Sequence, residues 1–434
     1  MHTSEVLRML FDDNSFMQIG AREDENVIIG YGTINNRLVY AFGQNDQVHS
    51  GACGPAHIER ILRAYRMAVK SKAPLIGIFH STGLVLDQGM EIMEKLGELY
   101  CFQREEAASI PQYMIVKGSC GGGLALAATM GDFVFVNEEG GDYFINPPDT
   151  LDQSSTESEH IVSKSIDLIG SMHEITAKVR SLIEILPSSQ TEGIVQVYES
   201  ADLNRPCLFD EGAESFVREV AGAIADDGLF YETKSLFGKR TVTGFIRLNG
   251  RTIAVIGNNR IDGASRLSAA GCDKLSHFIA FCSRFSIPVL SLVDIDGFAT
   301  DFETEAHFST AVNKLVGKLA KARMPRINVI IGKSLGSCHA ILNSHGLGTD
   351  FIFAWDGAEV GMMAKERYHI LYGAEAAAVD KGAVDKIIYP QDTRKYVIGA
   401  LEALMLGAVA ILAEHATESG LPTAIVTNSR QSYS

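Results

Sequence analysis

Apolar and polar positions fall into the same order twice along the chain. RLVYAFGQND and RTIAVIGNN carry β-branched and aromatic residues in short runs closed by glycine and asparagine, which predicts strands. Each is followed by a stretch with apolar residues three and four apart, AHIERILRAYRMAVKSK and CDKLSHFIAFCSRFS, which predicts amphipathic helices. Pro74 and Pro288 then close these helices and open PLIGIFHSTG and PVLSLVDIDG, near-continuous apolar runs of the kind that form buried parallel strands. A further strand follows in each case, YMIVKG and INVIIGK, and runs into a small-residue loop and another helix. Strand, helix and strand repeated with buried strands imply a layered α/β fold.

The recurrence extends to identical residues 214 positions apart. Glu5 and Val6 meet Glu219 and Val220; Asp12, Asp13 and Phe16 meet Asp226, Asp227 and Phe230. Gly30, Asn35, Arg37, Gly43, Asn45, Pro74 and Gly83 meet Gly244, Asn249, Arg251, Gly257, Asn259, Pro288 and Gly297. A period of this length means duplicated domains rather than a short-repeat solenoid, with a boundary near residue 214 and domains 1–214 and 215–434. The glycine run Gly121-Gly122-Gly123 is matched by Gly336-Ser337-Cys338 at an offset of 215.

Both loops stand where a strand hands over to a helix. A helix start presents unpaired N–H groups, and small residues let a ligand approach them, so the candidates are a phosphate or a developing oxyanion. The phosphate signatures fail on spacing. A P-loop ending at Gly332-Lys333-Ser334 needs glycine where Ile327 stands, and GxGxxG from Gly121 and Gly123 needs a small residue where Leu126 stands. The oxyanion reading needs only paired N–H donors, each worth about 3 to 4 kcal/mol of anion stabilisation. Side-chain nucleophiles are scarce: a GxSxG elbow on Ser81 fails at Phe79, and neither HExxH nor DxDxDG occurs. Cys120 reads as packing, His339 as polar lining of its loop ahead of a general base, and Met362 and Met363 as core.

Composition narrows the classes further. With 434 residues, 46% hydrophobic and 21% charged, the chain is sized for two cores. A net charge of −15 disfavours nucleic-acid binding, because phosphates require a basic surface. Seven cysteines without CxxC spacing argue against a disulfide framework or a zinc ribbon, so no metal is expected and a cytoplasmic location is. The first residues carry no signal-peptide pattern, and the apolar run at 403–413 is too short to insert in a bilayer and reads as a core helix.

These features together resemble the carboxyltransferases of biotin-dependent acyl-CoA carboxylases and decarboxylases. SEVLRMLFDDNSFMQIG is similar to that family's opening helix and DxxSFxE segment, and GYGTINNRLVYAFGQND to its G-x-G-x-I-x-G-R segment. GSCGGGLALAATMGDF, FIAFCSRFSIPVLSLVDIDGF, GKSLGSCHAIL and TDFIFAWDGAEVGMM follow in the family's order. The resemblance implies two tandem crotonase-like domains related by internal duplication. It further implies an acyl-CoA site in the first half and, in the second half of a partner subunit, a site for biotin borne by a separate biotinyl carrier protein. A homodimer or trimer of dimers follows from such shared sites. By position, the amides of Gly122 and Gly123 would face the thioester oxygen, and those of Ser337 and Cys338 the biotin ureido oxygen. Ser81, Thr82, Gly83 and Gly121 would line the first site, and Gly297, Phe298, Gly336, Met363 and Ala364 the second. Transfer would pass through an enolate, with no protein base required.

The chain also departs from that pattern. His80-Ser81-Thr82-Gly83-Leu84-Val85 replaces Asp-Ser-Gly-Gly-Ala-Arg, and Ser337-Cys338 replaces Gly-Ala, with side chains expected to narrow the approach. Asp296-Gly297-Phe298 replaces Pro-Gly-Phe and adds a charge; DTLDQSSTESEH replaces a glycine- and histidine-containing stretch, and AKERYHILYGAEAAAVDK shortens a helical excursion. These departures motivate an alternative, a non-catalytic or heteromeric subunit that keeps the fold for assembly.

Overall fold

The computed structural model describes residues 1–20, 26–85, 89–146, 164–210, 215–373, 379 and 382–418. The polar stretch at 149–160, the boundary residue Glu214 and part of the shortened excursion lie outside them. Packing divides the chain into two compact units, one of Met1–Val195 with Tyr231–Phe245 and Ala270–Ser286, the other of Gln196–Phe230, Ile246–Ala269 and the described residues from Ile287 onward.

The first unit holds strands β1 (Met17–Ile19), β2 (Val27–Ile34), β3 (Arg37–Gln44), β4 (Leu75–Phe79), β5 (Gln112–Val116), β6 (Cys120–Gly121), β7 (Phe133–Asn137), β8 (Tyr143–Phe144) and β9 (Leu168–Gly170). Helices α1 (Thr3–Leu10), α2 (Pro55–Ser71), α3 (Glu91–Arg104), α4 (Gly122–Thr129) and α5 (Met172–Ile185) lie in the same stretch, Met1–Val195. The sheet order is β1-β2-β3-β4-β5-β7-β9, antiparallel as far as β3 and parallel beyond. Asn35 and Asn36, both with positive φ, make the tight turn between β2 and β3; asparagine tolerates that backbone where β-branched residues do not. Helix α2 opens on Pro55, ends at the left-handed Lys72, and buries Ile58, Ile61, Leu62, Tyr65 and Ala68. Tyr65 and Phe79 both pack on Phe42, at ring-centroid distances of 5.9 and 5.5 Å. Each fully buried side chain of this kind contributes about 1.5 to 3 kcal/mol.

Later strands are β10 (Tyr231–Thr233), β11 (Thr241–Leu248), β12 (Arg251–Asn258), β13 (Arg266–Leu267), β14 (Val289–Ile295), β15 (Gly297–Phe298), β16 (Arg326–Leu335), β17 (Phe351–Trp355), β18 (Glu359–Gly361) and β19 (Lys386–Ile388). The helices are α6 (Phe216–Ile224), α7 (Ala269–Arg284), α8 (Phe302–Lys321), α9 (Gly336–Leu342), α10 (Lys365–Tyr372) and α11 (Thr393–Glu418). Strand order is β10-β11-β12-β14-β16-β17-β19, with β18 on the far end of β16. Helix α11 contains the apolar run at 403–413, and no described helix is long and apolar enough to cross a membrane.

The two halves repeat in detail. β2 and β11, and β3 and β12, begin and end at the offset that relates the identical residues, and the turn of Asn35 and Asn36 recurs, again at positive φ, in Asn249 and Gly250. From β7 to β17 and from β9 to β19 the spacing is 218, because the connection after α9 is longer and contains a 3-10 turn, His345–Leu347. Aspartates bond the first N–H of matching strands: Asp132 accepts from Gln112 at 3.0 Å and Asp350 from Arg326 at 2.7 Å. Asp167 accepts from Val134 at 3.0 Å, and Asp385 from Ile352 at 2.7 Å. Asp12 accepts the N–H groups of Asn35 and Asn36 and pairs with Arg180; Asp226 accepts those of Asn249 and Gly250 and pairs with Arg394.

Candidate active site

The first loop begins where β5 ends. Residues 117–119 lead into β6, which pairs in parallel with β8, and Gly121 then takes the extended backbone of a helix N-cap. The three glycines serve different ends. A Cβ on Gly121 would collide with the Phe144 ring, and one on Gly123 would lie 2.9 Å from Leu96 and 3.1 Å from the Tyr100 hydroxyl. Gly122 instead has φ +57 with open space where its Cβ would stand, so the left-handed turn itself requires glycine there. No side chain caps the helix, so its first-turn N–H groups have no side-chain cap acceptor. Tyr100 donates to the Gly123 carbonyl at 2.7 Å and anchors the turn to α3.

The turn of Ser81, Thr82 and Gly83 is laced to this loop. The Ser81 N–H donates to the Ser119 carbonyl at 2.7 Å, and the Gly83 N–H donates to the Ser81 hydroxyl at 3.1 Å. Gly83 has φ +126 and open space beside it. His80 packs over Gly118; burial lowers its pKa, the Lys117 ammonium lowers it further, and Asp46 opposes them. Lys117 pairs with Asp46 at 3.1 Å. Burial alone would raise the Asp46 pKa, but Lys117 and the Thr3 N–H hold it down to about 2. Cys120 is buried and its thiol is pushed up to about 12, so it is an inert packing group as the sequence suggests.

The second loop repeats the first with one correction to its register. Leu335 is the N-cap and Gly336 has φ +58, so Gly336 is the counterpart of Gly122 and not of Gly121, and the loop keeps the offset of the strands before it. Residue composition misled the alignment, and backbone conformation resolves it. Cys338 is therefore the counterpart of Leu124, and both are buried. Its side chain turns into the core and does not narrow the approach; only Ser337 faces outward.

His339 is tied to its own loop. Its Nδ1 lies 3.0 Å from the Ser334 hydroxyl, Asn343 donates to the same hydroxyl at 2.8 Å, and Asn328 donates to Asn343 at 2.8 Å. Burial lowers the His339 pKa, with His345 adding to the effect. Gly297, at φ +152 with open space beside it, and Phe298 form β15, which pairs with β13. The Phe298 ring packs on Phe308 at 4.6 Å. A Cβ on Gly336 would meet the Met362 carbonyl at 3.3 Å, so Met363 and Ala364 follow directly beside this turn. Met362 is 83% exposed, which overturns its expected place in the core. The added charge at Asp296 is compensated: it accepts the Ser265 N–H at 2.9 Å and lies 3.4 Å from the Lys333 ammonium. The structure thus assembles each set of site residues within its own unit. Sequence reasoning missed Tyr100, Lys117, Arg260, Asp294 and Lys333 around them, although Asp46 and Arg260, like His80 and Asp294, occupy equivalent positions of the repeat.

Comparison with known proteins agrees with this architecture. A carboxyl transferase domain model matches residues 8–382. The methylmalonyl-CoA decarboxylase subunit alpha of Veillonella parvula is 28% identical, with 93% of this chain and 90% of that protein aligned. The propionyl-CoA carboxylase beta chain of Roseobacter denitrificans is 30% identical over 88% of this chain and 83% of its own length. Among solved structures, transcarboxylase 12S, a hexamer crystallised with hydrolysed methylmalonyl-coenzyme A, has the same fold, with a TM-score of 0.85 over 94% of this chain and 90% of its own at 23% identity. With a matching fold, a family model spanning most of its length and relatives aligned nearly end to end, this chain belongs to the carboxyl transferase family.

Proposed function

We propose that the chain transfers a carboxyl group between biotin and the α-carbon of a short acyl-CoA. The observation that carries this reading is the pair of uncapped helix starts behind left-handed glycines, Gly122 and Gly336, at equivalent positions of the two halves. The N–H groups of Gly122 and Gly123 bind the thioester oxygen as the α-carbon gains or loses its carboxyl group and negative charge moves onto that oxygen. Donors fixed in place before the charge develops cost no reorganisation, and each contributes about 3 to 4 kcal/mol. Ser81, Thr82, Gly83 and Gly121 line the approach to this oxygen.

The second half fits a flat polar ring. Ser337 and Cys338 offer first-turn N–H groups, and Gly297 leaves open space where a side chain would obstruct such a ring. Biotin, held on a separate carrier protein, supplies the ureido nitrogen that takes or gives the carboxyl group. Gly336 and Phe298 shape that approach, with Met363 and Ala364 beside it. We read the protein as cytoplasmic and as a homodimer or trimer of dimers. The test is biotin-dependent release of CO2 from methylmalonyl-CoA or malonyl-CoA by the purified protein. Absence of turnover with every short acyl-CoA, from folded protein, favours the non-catalytic or heteromeric subunit instead.

A further inference from the structure

The strand that delivers the second loop is not regular. Along β14 and β16, Val293 pairs with Ile330 and Ile295 with Ser334, so Ile331, Gly332 and Lys333 bulge opposite the single residue Asp294. A bulged N–H loses its partner in the ladder and needs another acceptor. Asp294 supplies it: Oδ1 accepts the Lys333 N–H at 2.9 Å, while Oδ2 is held by the Arg260 guanidinium at 2.5 Å. The carboxylate occupies the space that a Cβ on Gly332 would take. Two residues beyond Lys333, Leu335 caps the helix that begins at Gly336.

The first half is built differently at this place. There the N–H groups of Lys117 and Gly118, the counterparts of Ile331 and Gly332, both donate to the Phe79 carbonyl, at 2.9 and 3.4 Å; Ser119 stands where Lys333 does, and the counterpart of Asp294 is His80, which packs on Gly118. At this position only the second half carries a carboxylate.

We propose that Asp294 is the positioning residue of the second loop: it closes the β16 bulge and thereby sets the direction of the Ser337 and Cys338 N–H groups. The consequence for catalysis rests on the reading that those groups bind biotin. Asp294→Ala removes the acceptor, and Asp294→Asn keeps an oxygen that can accept the Lys333 N–H. Hydrogen exchange, followed by mass spectrometry on peptides covering 331–339 and 117–124, reads the positioning without reference to activity. Asp294→Ala is expected to exchange at least about tenfold faster in the first peptide, the fold-change for losing a hydrogen bond to a charged group. The second peptide stays unchanged, and Asp294→Asn restores most of the protection. With methylmalonyl-CoA and free biotin, Asp294→Ala lowers kcat about 10- to 100-fold and raises KM for biotin, with KM for the acyl-CoA unchanged. Unchanged exchange in 331–339 overturns the proposal, as does faster exchange in an active enzyme whose biotin kinetics do not change. If the wild-type protein shows no turnover but the exchange pattern appears, the positioning role stands and the functional reading fails.

Discussion

Gly336 repeats the backbone of Gly122: the two residues occupy equivalent positions of the halves, with φ +58 and +57, each at the first turn of a helix that no side chain caps. An L-residue in this conformation carries a strain of about 1 to 2 kcal/mol. Nothing lies within 4 Å of a Cβ on Gly122, and only the Met362 carbonyl, at 3.3 Å, approaches one on Gly336. Gly122→Ala and Gly336→Ala should therefore each lose about 1 to 2 kcal/mol in urea unfolding, by backbone strain rather than by collision. A loss of roughly 4 kcal/mol or more would indicate buried crowding instead.

The paired aspartate and arginine of each half predict unequal costs. Arg394 is fully buried, donating to Asp226 at 2.6 Å, to the Ile224 carbonyl at 2.6 Å, and to Ser200 at 2.8 Å. Its removal leaves a buried carboxylate uncompensated, and Arg394→Ala should cost about 3 to 5 kcal/mol. Arg180 and Asp12 make the same pair at side-chain exposures of 29% and 25%, where water partly replaces the lost partner. Arg180→Ala should cost less, about 1 to 3 kcal/mol, by chemical denaturation.

The lowered pKa of His80 fixes a sign for pH dependence. The unfolded chain binds the proton more readily than the folded one, so this group's contribution to stability is fully present above pH 6.5 and is lost as pH falls through the lowered folded value. His80→Gln should flatten that part of the profile of Tm against pH between roughly 5 and 7. An unchanged slope in the variant would assign the acid sensitivity to other groups.

Cysteine reactivity separates packing from chemistry. Cys101 is exposed and the other six cysteines, Cys120 and Cys338 among them, are buried. Native protein should titrate with about one equivalent of a thiol reagent, and Cys120→Ala should keep kcat within about twofold. Rapid labelling of Cys120 under native conditions would contradict an inert role.

Much of this was legible before the fold was known. The constant offset between identical residues located the hairpins, the helices closed by Pro74 and Pro288, and both loops, because turn residues and buried strands leave periodic and compositional marks. The register of the second loop was misread by one, since Gly336-Ser337-Cys338 resembles three glycines in size and not in backbone conformation. The longer spacing after α9 was also hidden, in a connection tied down by side-chain contacts such as Asp350 on the N–H of Arg326 and Asn343 on Ser334, which leave no periodic mark. Asp294 and Arg260 left no motif at all: a bulge is a relation between two strands, and its acceptor stands 39 residues from the amide it serves.

Two glycine-led helix starts that serve one carboxyl transfer should both be felt in a single assay with free biotin and methylmalonyl-CoA. Wild-type protein should release CO2 in a biotin-dependent manner. Gly122→Val and Gly336→Val, confirmed as folded by circular dichroism, should each reduce kcat about 100- to 1,000-fold. Full activity in either folded variant would contradict the claim.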